Sequence, residues 1–236
     1  KDANILSEAA VQGKLATRAD ASKHQGDFRK IVQGVNDTLD SVIGPLNVAA
    51  EYVDRIAKGD IPNKITDNYN GDFNEIKNNL NTAIDAVTLL VKDANILADA
   101  AVQGKLATRA DASKHQGDFR KIVQGVNDTL DAVIGPLNVA AEYVDRIAKG
   151  DIPNKITDNY NGDFNEIKNN LNTAIDAVTL LVKDANILAD AAVQGKLATR
   201  ADASKHQGDF RKIVQGVNDT LDAVIGPLNV AAEYVD

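Results

Sequence analysis

The sequence predicts an all-α fold made of tandem parallel four-helix coiled-coil bundles. Each module is two parallel helices joined by an extended connector, and a parallel homodimer completes each bundle. Three observations predict it. The chain repeats itself almost perfectly, its apolar residues recur at steps of three and four, and each apolar stripe stops at a glycine followed by a polar segment.

The repeat is the strongest of these, because missing it would misread the whole fold. The string KDANIL begins at Lys1, Lys92 and Lys183, a period of 91 residues. Over the shared length the copies differ at three positions only. Ser7 becomes Ala98 and Ala189, Glu8 becomes Asp99 and Asp190, and Ser41 becomes Ala132 and Ala223. Inside each copy lies a weaker repeat of about 45 residues in two alternating versions, A and B. Gly13, Leu15, Ala19 and Gly26-Asp27-Phe28 mark the first version; Gly59, Ile61, Ile65 and Gly71-Asp72-Phe73 mark the second. The five phenylalanines, Phe28, Phe73, Phe119, Phe164 and Phe210, count five units. The expected division is therefore A units at 1–44, 92–135 and 183–226, B units at 45–91 and 136–182, and the truncated first helix of a further B unit at 227–236.

The apolar spacing gives the helices. In a B unit Leu46, Ala49, Val53 and Ile56 form one helical stripe. It stops at Gly59, since glycine tolerates the left-handed conformation that ends a helix. Pro62 and a run of Asn and Asp in the following segment cannot continue it. Asp72, three residues before Glu75, is expected to cap the second helix. That helix carries Phe73, Ile76, Leu80, Ala83 and Val87, a heptad seam. Ile61 and Ile65 are the connector's aliphatic residues apart from Pro62. About 12 extended residues reach up to roughly 40 Å, enough to return along a 15-residue helix of about 22 Å. The two helices can then run parallel, with Ile61 and Ile65 sealing the groove.

One such pair leaves its seam open to water, and units this small are marginal alone. Two chains in register close the core, hence the homodimer. The second helix of each unit runs on into the first helix of the next, as from Asp72 to Gln103. From B to A the seam alternates regularly through Phe73, Ile76, Leu80, Ala83, Val87, Leu90, Ala94, Leu97 and Ala101. From A to B, the steps Ile31 to Val35 and Val35 to Leu39 place two fours together, a stutter that unwinds the supercoil. Gly44-Pro45 follows. The A-to-B junctions are expected to be under-wound or kinked.

Composition narrows the function classes. There are 26 Lys+Arg against 34 Asp+Glu, for a net charge of −8, which opposes binding to a phosphate backbone. There is no Cys, Met or Trp, so neither a disulfide framework nor a thiolate metal site exists. No apolar run reaches the roughly 20 residues of a membrane span, and no signal peptide opens the chain. The abrupt ends suggest part of something longer.

VIGPLNVAAEYVDRIAKGDI, a connector, then GDFNEIKNNLNTAIDAV resembles the HAMP domain of histidine kinases, methyl-accepting chemotaxis receptors, adenylyl cyclases and phosphatases. Pro45-Leu46 and Pro136-Leu137 match its first-helix Pro-Leu. Gly59, Ile61 and Ile65, and Gly150, Ile152 and Ile156, match its connector pattern of glycine, any residue, hydrophobe, three residues, hydrophobe. The A units match at Gly13, Leu15 and Ala19, with alanine a weak second hydrophobe, and Gly104 opens the second A connector. The A units carry Leu90 and Leu181 where B units have proline, and Gly-Asp-Phe replaces the family's Asp-Glu-x-Gly motif. The resemblance implies a relay of conformational change in the cytoplasmic part of a membrane-anchored chemoreceptor or sensor kinase. Its partners would be itself, as a parallel homodimer, and the sensory and output domains of the same full-length protein.

No catalytic, metal or cofactor site is expected, and no ligand or nucleic-acid partner. His24, His115 and His206 read as solvated connector residues, Asp27 and Asp72 as helix caps, and Tyr52 and Tyr69 as cover for the bundle. The glycines form no phosphate loop, since no Gly-Lys-Ser/Thr follows them. The residues expected to matter are structural: the connector landmarks, the phenylalanines, Val35 at the stutter, and Gly44-Pro45. The alternative reading is a structural rod, spacer or filament-forming repeat.

Overall fold

The computed structural model describes residues 1–234, and the last two residues of the sixth unit lie outside them. The chain divides into two compact units, Lys1–Asp128 and Thr129–Asp236. Among the described residues six α-helices follow in order: α1 Asp2–Val11, α2 Gly26–Ala57, α3 Gly71–Val102, α4 Gly117–Ala148, α5 Gly162–Val193 and α6 Gly208–Glu233. Among the described residues there is no strand, so the all-α expectation holds.

The long helices are the joined ones. The sequence predicts Asp72 to Gln103, and the structure gives α3 as Gly71–Val102, 32 residues or about 48 Å. Helix α2 runs unbroken through Gly44 and Pro45. Proline has no N–H to donate to the Ser41 carbonyl one turn back, so the chain loses one helical bond there and keeps the helix.

Glycine ends α1 to α5 as expected. Gly13 and Gly59 take φ of +72° and +79°. At the first, the Lys14 N–H donates to the Ala9 carbonyl at 2.8 Å and the Gly13 N–H to Ala10 at 3.0 Å. At the second, the Asp60 N–H reaches the Arg55 carbonyl at 3.0 Å. These bonds satisfy carbonyls that the helix leaves open. A side chain at Gly150, with φ of +80°, would force an L-residue into the same region. Gly150→Ala should therefore cost about 1–2 kcal/mol, read as a lower thermal midpoint of the full chain.

The helix starts correct the sequence reading. Asn70, not Asp72, occupies the cap position of α3, and it makes no side-chain cap bond. Asp72 lies inside the first turn, as does Asp27 in α2, where its carboxylate meets Lys30 at 3.1 Å. A side-chain cap needs an extended residue immediately before the helix. Here Gly71, at φ +52°, swings the chain into the helix one residue earlier. The aspartates still suit the positive end of the helix dipole.

The connectors differ by type. In B units residues 60–70 hold no helical turn. In A units a short 3-10 turn, Ala21–Lys23, interrupts the extended run, and the Asp20 carboxylate accepts the Ser22 N–H at 3.0 Å.

Candidate functional site

The connector fixes the helix pair, and its contacts reveal direction. In the first B module Lys64 meets Asp85 at 2.6 Å, Ile65 meets Asn81, and the Asp67 carbonyl accepts Lys77 Nζ at 3.2 Å. As connector numbers rise, α3 numbers fall. The connector therefore runs back along the second helix from its lower part to its start, and the two helices of the module are parallel. The third A module repeats this order, with Arg200 on Asp222, Ala201 on Asn218 and the Ala203 carbonyl on Arg211. The expected parallel pair is the observed one.

At the centre of each ladder sits an asparagine that grips one connector residue by both backbone groups. The Asn81 carboxamide accepts the Ile65 N–H at 2.8 Å and donates to the Ile65 carbonyl at 3.0 Å. Asn172 does the same to Ile156, at 2.8 and 3.0 Å. In A modules Asn36 holds Ala19, Asn127 holds Ala110 and Asn218 holds Ala201. The connector has no ladder partner of its own, and backbone groups lying against a helix need one. The carboxamide, with one acceptor and one donor face, supplies both. The gripped residue is the second connector hydrophobe in every case, so the connector pattern and the asparagine are two halves of one device. The sequence reading missed it. Its signal was an Asn ten residues after each helix-starting glycine, Gly26 to Asn36 and Gly71 to Asn81.

The histidines overturn their sequence reading. His115 and His206 are buried, with 5% and 4% of their surface exposed, and are not solvated connector residues. His115 Nε2 meets the Asp93 carboxylate at 2.8 Å, and His206 meets Asp184 at 2.7 Å. Burial follows from the parallel geometry, which brings the connector's end back beside the first turns of the first helix. In the first A module His24 meets Asp2 at 2.6 Å, with both side chains about a third exposed.

The remaining landmarks fall as follows. Ile65 and Ile156 are buried at 6%, and Ile61 and Ile152 are half-buried. Leu15 is more open, at 44%. Phe73, Phe119, Phe164 and Phe210 are half-buried, while Phe28 is 73% exposed. Pro45 and Pro136 are half-buried within their helices, and Gly44 and Asp72 are exposed. Gly104, at φ +70°, ends α3.

The heptad seam is largely uncovered. Ile31, Val35, Val42, Leu46, Val53 and Ile76 are all exposed. The residues the single chain buries lie one or two steps on: Asn36 and Ile43 in α2, Ile84 in α3, Val123, Asn127 and Ile134 in α4. Each of the helices α2, α3 and α4 thus carries two neighbouring stripes. One is closed by the chain's own connector and second helix, and the other is open. In the second compact unit the open stripe forms a cleft of about 340 Å³ between Leu181, Leu188, Ile213, Val217 and Leu221.

Several carboxylates in and beside the connectors are held below their ordinary range. A hydrogen bond from the Arg55 guanidinium holds the Asp60 carboxyl below its ordinary range, and Arg146 does the same for Asp151. Hydrogen bonds from Ser22, Ser113 and Ser204 lower Asp20, Asp111 and Asp202, and one from His24 lowers Asp2. A depressed folded-state value means that the folded chain favours the ionised form. Its stabilisation is present above the ordinary carboxylate range and is lost as pH falls through the depressed values. The thermal midpoint should therefore fall between about pH 5 and pH 2, and the double variant Asp60→Asn, Asp151→Asn should show a shallower fall.

Among the described residues no group of acidic or histidine side chains could hold a metal ion, and no helix is long and apolar enough to cross a membrane. No solved structure matches the chain. The model of the HAMP domain matches residues 23–88, 114–179 and 205–236. Each full match begins beside an A-module histidine, takes in that module's second helix and covers most of the B module. Together the three segments cover well over half of the chain. With paired parallel helices, a glycine-opened connector and three tandem matches, the chain belongs to the HAMP domain family, as a poly-HAMP array.

Proposed function

We propose that this chain is an intramolecular signal relay in the cytoplasmic part of a membrane-anchored chemoreceptor or sensor kinase. It carries conformational change from a sensory domain to an output domain of the same protein. HAMP domains are non-catalytic signal-relay linkers of receptors and kinases. The observation that carries the reading is the open seam on continuous helices. A displacement entering one module has an unbroken helix along which to reach the next, and an apolar face that can repack.

The relay requires a second copy of the chain. Because the seam stripes of one module both belong to parallel helices, a second copy in the same direction would close a parallel four-helix bundle. The A units 1–44, 92–135 and 183–226 belong to the array as modules in their own right. Their connector ladders and asparagine clamps are those of the B units 45–91 and 136–182. The truncated unit at 227–236 would start a further B module.

The test fuses the array upstream of a kinase or cyclase reporter. Substitutions at Val35, in the stutter, or at Pro45 should shift the output bias by several-fold. Output that no substitution at either position alters would leave the second reading, a structural rod or spacer, which the near-identity of the 91-residue copies favours.

A further inference from the structure

We propose that A and B modules are fastened differently, and that Asp93–His115 and Asp184–His206 are positioning pairs that stop the first helix of an A module from slipping against the second. This rests on the relay reading and adds to it which modules yield and which hold.

The two module types place different residues at equivalent positions. Counted from the glycine that ends the first helix, Asp93 lies eleven residues before Gly104, and Val48 lies eleven before Gly59. Counted from the glycine that starts the second helix, His115 lies two before Gly117, and Tyr69 two before Gly71. The pair Asp93–His115 in an A module therefore stands where Val48 and Tyr69 stand in a B module. Val48 and Tyr69 line one small recess with Pro45 and Ile65, and Val139 and Tyr160 line its counterpart.

The contacts that bind the connector to the second helix are shared. Both module types have the asparagine clamp at the same position. Both have a basic connector residue on an aspartate at the same position, Arg18 with Asp40 and Lys64 with Asp85. These contacts all join connector to second helix, so they make one body of those two elements. The fastening to the first helix is where the types part. In the second and third A modules the connector's far end is held by a hydrogen bond between side chains that are 1% and 16% exposed, and 1% and 15% in the next copy. In B modules that far end meets the first helix through apolar contact, and the Arg55–Asp60 pair ties only the last turn of the helix to the residue just after its terminal glycine, where it cannot oppose a shift of the connector's far end.

The two chemistries respond differently to sliding. A hydrogen bond weakens steeply with distance and angle, and a carboxylate withdrawn from water has no alternative partner at a shifted register. Apolar contact is non-directional and survives a shift of similar size. A modules should therefore hold register, and B modules should be where the first helix moves.

Pulsed electron spin resonance on the full chain tests this. The chain has no cysteine, so labels go only where they are introduced. Lys92→Cys with Lys121→Cys reports on an A module, and Asn47→Cys with Glu75→Cys on the equivalent B positions, all four exposed. Labelled chain is diluted with unlabelled chain so that distances arise within one copy. The A distribution should be narrower than the B distribution. Asp93→Val with His115→Tyr should broaden the A distribution to the B width. His115→Gln, which keeps a donor near the Nε2 position, should preserve the narrow distribution, and His115→Phe should not.

Equal widths in the unaltered modules, or an A width indifferent to the double substitution, would overturn the proposal. Loss of helicity in the double variant is separated from slip by the His115→Gln and His115→Phe comparison, which must still differ. If the widths respond as stated while the reporter output stays constant throughout, the fastening stands and the relay reading falls.

Discussion

Replacing Asn127 by alanine should destabilise its module by about 2–4 kcal/mol, although the side chain touches no ligand and carries no charge. The substitution strips the partner from both the N–H and the carbonyl of Ala110, which the carboxamide holds at 3.1 and 2.8 Å. Each buried polar group left unpaired costs about 1–3 kcal/mol, and a small helical unit has little to spare. Asn127→Asp keeps the acceptor but sets a carboxylate oxygen against the Ala110 carbonyl and buries a charge, so at neutral pH it should destabilise at least as much as alanine does. Asn79, exposed on α3, is the control, and Asn79→Ala should stay within about 0.5 kcal/mol. Thermal unfolding measures the midpoints, and amide exchange at Ala110 should accelerate by about tenfold or more. An Asn127→Ala variant with the control's midpoint would mean that water replaces the clamp without cost.

What the sequence made legible was what local chemistry and spacing decide. A glycine can end a helix by its own conformational freedom, so Gly13, Gly59, Gly104 and Gly150 could be placed without knowing what lay beside them. The three-four spacing fixed where the long helices run, and α3 differs from its expected bounds by one residue at each end. What stayed hidden depended on contacts between segments. Whether His115 is solvated or buried is decided by Asp93, 22 residues earlier, and by a connector that returns to it. Asn36 looked like any polar residue on a helix because its partner, Ala19, offers backbone rather than side chain. Asp72 looked like a cap because the backbone angle of Gly71 is invisible in a string of letters. The seam was read correctly as apolar, but spacing alone could not tell which of two adjacent stripes one chain closes for itself.

That distinction yields the second large effect. Ile122 is 51% exposed, while its neighbour Val123 is 4% exposed. Glutamate at position 122 would stand in water on a lone chain, and the change would fall within about 0.5 kcal/mol. In a parallel dimer the same carboxylate faces the seam of the second copy. It forfeits the burial of an isoleucine, about 1.5–3 kcal/mol for a full side chain, and adds the desolvation of a charge. The triple variant Ile31→Glu, Ile122→Glu, Ile213→Glu places that penalty once in each A module of both copies. Sedimentation equilibrium should find the unaltered protein at twice 25.1 kDa and the triple variant at the single-chain mass. Val123→Glu serves as the contrast, because it opens the interior that one chain closes and must destabilise in either state. A triple variant with unchanged mass and midpoint, beside a collapsing Val123→Glu, would show that the open stripe faces nothing. The relay would then lack the second half of every bundle it needs to switch.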